Sequence, residues 1–167
     1  MKNLRMFAAF ALVAMSLFAV TAEAQEISVL FGTEMASSKQ VKLFEAFKIS
    51  IVVSNIDDTI GAVEYKLNLP ENVAVTGTDF WPGALDLSGP DGTALALGEC
   101  VIMVDAPNID QAITVATLEA IAVNTFASTD VTLTEFTGTP ANPATAPRYA
   151  NCQDQLVNLT PVDGVLQ

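Results

Sequence analysis

Histidine is absent from all 167 positions of this chain, so chemistry has to be sought among few residue types. That absence removes the commonest general base and the commonest metal ligand together. Ser-His-Asp and Cys-His arrangements go with it, and no glycine-rich phosphate loop precedes a helix. Three groups of residues remain. In "SNIDDTIG", Asn55, Asp57 and Asp58 gather oxygen-bearing side chains in one short connection. Calcium takes ligands of that kind, and an ordinary β-turn uses the same residues to bond its own backbone. In "DFWPG", Phe80 and Trp81 offer rings that would stack on a sugar if exposed, or plug one end of a core if buried. Cys100 and Cys152 are the only cysteines. With no CxxC spacing and no histidine to share a metal, they read as one disulfide. Closing that loop contributes about 4 kcal/mol in the chain-entropy model. Chance pairing of carboxylates is expected on so acidic a surface and assigns no glycosidase. The chain therefore reads as a non-enzyme, with calcium at residues 55–58 as its single cofactor candidate.

These residues have to be positioned by strands, because alternation with a period of two recurs along the chain. In "FKISIVVSN", Phe47, Ile49, Ile51 and Val53 share one face. In "IGAVEYKLNLPENVAV", Val63, Tyr65, Leu67 and Leu69 share another, Pro70 turns the chain, and Val73 and Val75 resume. "QEISVLFG" and "DVTLTEFTG" read as further strands. "TALALGECVIMVDAP" is apolar on both faces, with Gly98 placed to make a bulge. "QAITVATLEAIAV" has helix formers, yet its Thr and Val content and its short flanking turns favour a central strand. "EMASSKQVKLFEAF" has the makings of one or two helical turns. "TDFWPGALDLSGPDGT" and "GTPANPATAPRYANCQ" read as long connections. Their sum is an all-β chain, an antiparallel β-sandwich of jelly-roll or immunoglobulin-like type with about 8–9 strands.

Compartment is written in the first residues. A basic start, the uncharged apolar run of residues 6–20, and small residues at Ala22 and Ala24 form a bacterial-type secretory signal peptide, residues 1–24. That run is short for a membrane span of roughly 20 residues. Residues 25–167 are expected to form one domain, secreted to the periplasm or beyond the cell, with no membrane insertion after cleavage. The formal net charge is −12, from 19 acidic and 7 basic residues. Such a surface repels nucleic acid and anionic lipid, which need neutralising cations. The sequon at Asn158 reads as strand sequence, since a bacterial-type export signal gives it no use and Pro161 follows.

The run "FKISIVVSNIDDTIGAVEYKLNLPENVAV" resembles the opening of cohesin-like domains and of the related carbohydrate-binding-module superfamily. Ser54-Asn55-Ile56, Gly61-Ala62, Leu69-Pro70 and Val73-Ala74-Val75 stand where those families place a turn, a Gly-containing strand, a Pro-led turn and a short strand. The resemblance covers roughly residues 44–123. Asn68-Leu69 replaces the family's Tyr-Asp, which removes that polar anchor. What the resemblance implies is a nine-stranded sandwich that binds a dockerin-like protein or a polysaccharide. The function expected is thus a secreted, non-catalytic binding module that recognises a protein partner or a glycan at the cell surface. Its alternative is a structural subunit of an extracellular or envelope assembly, self-associating through edge strands and the apolar C-terminal segment.

Overall fold

The computed structural model describes residues 24–56, 59–89, 93–102, 112–125, 127–136 and 145–167. The expected signal peptide lies outside them, apart from Ala24. Thirteen strands form two facing sheets, and no helix occurs among the described residues. The first sheet has the order β12-β1-β3-β8-β5, built from β1 (Glu26–Phe31), β3 (Ala46–Ser54), β5 (Val73–Phe80), β8 (Ile113–Ala122) and β12 (Thr160–Val162). The second runs β11-β10-β4-β9-β13-β2, from β2 (Ser38–Lys39), β4 (Thr59–Asn68), β9 (Thr129–Thr134), β10 (Arg148–Ala150), β11 (Leu156–Asn158) and β13 (Gly164–Leu166). Along one edge of β4 lie β10 and β9 in succession, and its other edge carries β7 (Thr93–Ile102), followed by β6 (Leu85–Asp86). This is an all-β sandwich. Its pairings are antiparallel except for β1 with β12 and β13 with β2.

Alternation decides which side chains meet between the sheets. Phe47, Ile49, Ile51 and Val53 are buried on β3, opposite Val63, Tyr65 and Leu67 on β4 in the same apolar core. Ala-rich β8 is the centre of the first sheet, paired to β3 on one side and β5 on the other. Its small side chains, Ala116, Ala120 and Ala122, leave room for larger neighbours. The segment with helix formers is therefore a strand, as its β-branched content demands. The stretch "EMASSKQVKLFEAF" makes turns around the two-residue β2 and no helical turn. Met35 and Phe44 there adopt left-handed backbone at φ 53° and 63°, and a hydrogen bond from Val41 N–H to the Gln167 carbonyl at 2.8 Å holds the segment to the residue after the last strand.

Register shifts place β-bulges at three points. Opposite Gly61, the stretch from Gly98 to Cys100 is the looped-out side of β7, where a bulge was expected from Gly98. Val115 is the extra residue of β8 against β3, and Thr76 the extra residue of β5 against β8. The C-terminal segment, which the structural-subunit alternative would use to join copies, is part of the sandwich. Its β12 extends the first sheet and β13 lies between β9 and β2 of the second, with Leu159 and Leu166 buried in the core.

Candidate functional site

Two of the sequence-derived site residues, Trp81 and Asn55, turn out to have structural duties. Trp81 is only 4% exposed and belongs to the core. It meets Phe80 edge to face, ring centroids 6.5 Å apart at 88°. The turn 81–84 fixes that placement: Pro82 and Gly83 occupy its central positions, Gly83 at φ 83°, and Ala84 N–H donates to the Trp81 carbonyl at 3.0 Å. Pro then Gly with positive φ is a type II turn. Trp81 thus plugs the core and offers no open ring face for a sugar. The indole Nε1–H is buried with no hydrogen-bond partner among the described residues. Asn55 sits at φ 59°, where its amide donates to the Ala24 carbonyl at 3.2 Å and ties down the N-terminal segment. Asp57 and Asp58 lie outside the described residues. Among those residues no group of three His, Cys, Asp or Glu side chains is placed to hold a metal.

Cys152 is half-buried in the turn between β10 and β11, its N–H donating to Thr59 Oγ1 at 2.9 Å. Asn151 organises that turn: its Oδ1 accepts from the N–H groups of Gln153 and Gln155, and its Nδ2 donates to Gln155 Oε1. The Cys100 side chain lies outside the described residues. Its backbone is next to Val101, which pairs with Ile60, so both cysteine backbones flank the same end of β4.

The site that the sequence did not disclose is at the opposite edge of the first sheet. The bulge at Thr76 turns both Val75 and Thr78 toward the second sheet, opposite Ala120 and Leu118. Yet Val75 is 41% exposed, because the sandwich is not closed there. What remains is a cleft of about 290 Å³ between β5 and β4. Tyr65, Leu67 and Leu69 form one wall, and Val75, Thr78 and Phe80 the other. That volume is at the small end of the ~300–1,000 Å³ typical of small-molecule clefts. Its lining is apolar apart from hydroxyls, and it holds no acid–base pair.

Two exposed carboxylates stand close by. Asp86 lies near the Tyr65 hydroxyl, Asp79 alternates with Thr78 and Phe80 and so faces the outer side of the first sheet, and neither makes a salt bridge among the described residues. Hydrogen bonds from Ser88, from its hydroxyl and then its backbone N–H, hold the Asp86 carboxyl below the usual carboxylate range. Burial pushes the Tyr65 hydroxyl well above the ordinary tyrosine value, and the charge of nearby Asp86 adds to this. The cations are committed elsewhere. Arg148 and Glu64 are paired at 2.6 Å on the outer side of the second sheet, Lys48 pairs with Glu119, and Lys39 with Glu45. Lys66 alternates with Tyr65 and so faces away from the cleft.

No family model matches the chain, and no curated protein matches it significantly. Solved structures do. A cohesin module of a Clostridium perfringens family 33 glycoside hydrolase superposes with a TM-score of 0.59 at 10% identity, covering 86% of this chain and 96% of that one. A type II cohesin domain from the cellulosome of Acetivibrio cellulolyticus gives 0.57 at 12% identity, over 86% and 95%. A type I cohesin–dockerin complex from Clostridium thermocellum gives 0.55 at 9% identity, over 85% and 98%. The chain has a cohesin-like fold. The stretch that carried the resemblance is the β3–β4–β5 run of this cohesin-like domain. At the end of β4, Asn68 donates from Nδ2 to Thr132 Oγ1 at 3.2 Å and to Thr134 Oγ1 at 3.1 Å, which ties β4 to β9 just before the Leu69-Pro70 turn.

Proposed function

We propose that this protein is an exported, non-catalytic module whose task is to bind another protein. The cohesin-like fold carries this reading, because solved cohesins of the same architecture include one bound to a dockerin. The geometry agrees with it. The described surface carries an apolar cleft beside β5, which among the described residues pairs only with β8, and no group lining the cleft is positioned to attack a substrate. Glycan recognition loses its main support once Trp81 is in the core, since stacking needs an open aromatic face. The Cys100–Cys152 bridge and the leader at residues 1–24 belong to the same reading of an exported domain.

The test is direct. The purified protein, immobilised and challenged with the exported proteins of its own source, is expected to retain at least one saturably, with soluble protein competing. Retention of polysaccharide only, or turnover of a glycoside by the pure protein, would overturn the reading.

A further inference from the structure

We infer that the edge of β5 turned away from β8, unpaired among the described residues, is with the cleft behind it a strand-docking site for an extended segment of a cationic partner protein. This deepens the protein-binding reading and rests on it.

Three independent observations meet at this edge. The first is hydrogen bonding. Among the described residues β5 pairs only with β8. Trp81 N–H donates to the Val115 carbonyl at 3.3 Å, so it points toward β8. Direction alternates along an antiparallel strand, which aims the N–H and C=O groups of Thr78 and Phe80 outward, at the open edge. An incoming strand would satisfy them, as in β-strand addition.

The second is shape. Strand addition gives affinity through main-chain bonds, and specificity through pockets that accept alternate side chains. Behind this edge lies such a pocket, walled by Leu67, Leu69, Val75 and Phe80. Gly77 beside it leaves open space where a Cβ would stand, so the edge can be approached closely.

The third is charge, which selects the partner. Asp79 stands exposed on the outer face of this edge, between Thr78 and Phe80, with no salt bridge among the described residues, and the whole chain carries −12. A second copy would bring like charge to this edge and be repelled. A segment alternating apolar residues with lysine or arginine would put its apolar side chains in the cleft and its cations on the outer face, beside Asp79.

A capped peptide of alternating valine and lysine, 8 residues long to match β5, is the probe, titrated into the ¹⁵N-labelled protein. The amides of Thr78 and Phe80 are expected to shift and to gain protection from exchange. The same peptide with glutamate for lysine is expected to bind at least about tenfold more weakly, with the difference shrinking as salt screens the charge. Thr78→Pro removes one outward donor and sits where an edge strand tolerates proline, so it is expected to fold and to weaken binding about tenfold or more. Asp79→Lys is the second variant, expected to shrink the preference between the two peptides. The inference is overturned if the shifts map elsewhere, if both peptides bind alike, or if Thr78→Pro binds as the parent does. Shifts of the same amides that grow with protein concentration alone would assign the edge to a second copy, and overturn it too. Binding on the outer face of β4 would sink the edge and spare the protein-binding reading. Edge binding of the peptide with no exported protein retained would do the reverse.

Discussion

Tyr65 shows how one residue links core and cleft. It is 1% exposed, it walls the cleft, and its hydroxyl is held neutral by burial and by the charge of Asp86. Folding therefore raises its pKa above the unfolded value of about 10. A raised acid pKa favours the protonated form in the fold. Stability from this group is complete below pH ~10 and is lost as pH climbs past that value, where the unfolded chain ionises first. Urea titrations between pH 8 and 12 are expected to show falling stability above pH ~10, and Tyr65→Phe is expected to flatten the slope. An unchanged slope would place the alkaline transition elsewhere. That Tyr65 faces the core was legible in the alternation of "VEYKL". That Trp81 is buried was not, because nothing local says whether a loop tryptophan meets solvent or the far end of a core.

At the scale of elements, β3 and β4 could be read because their alternation runs unbroken between turn residues. Half of β5 could not. The extra residue Thr76 and then Gly77 break the period, so the sequence reads as strand only to Val75, while the strand continues to Phe80. The same bulge makes the cleft, which is why the site was hidden along with it. Arg148–Ala150 was likewise lost in a proline-rich stretch, although it is the strand β10 that pairs with β4. The last strand, β13, crosses closest to the core at Gly164. A Cβ there would stand 2.6 Å from the Phe31 ring and 2.9 Å from Val29 Cγ1, both fully buried. Gly164→Ala is expected to cost about 1–3 kcal/mol by overpacking. The measurement is a lower urea midpoint with an unchanged m value.

For the whole molecule, the open questions concern charge and covalent closure. Three of the five basic residues after position 24 are paired with glutamates, against a net charge of −12 for the whole chain. Long-range attraction to a cationic partner and strong salt dependence follow from that. The cysteines flank one end of β4, and a bridge between them would fasten β10 and the tail to the body of the second sheet. Intact mass of the exported protein is expected to lack two hydrogens relative to the reduced chain. Reduction is expected to lower stability by up to about 4 kcal/mol. Two freely alkylated thiols in the native protein would refute the bridge.

The parallel pairing of β1 with β12 has a consequence for how the chain comes into being. Glu26 aligns with Thr160, and Phe31 packs under Gly164, so the strand made first is enclosed by the strands made last. Contacts so distant along the chain cannot form until nearly all of it has left the ribosome, and they close slowly even then. Until then β1 has only its antiparallel neighbour β3, and its other edge stays without β12. The late arrival of β12 and β13 thus works as a built-in delay in closing the sandwich.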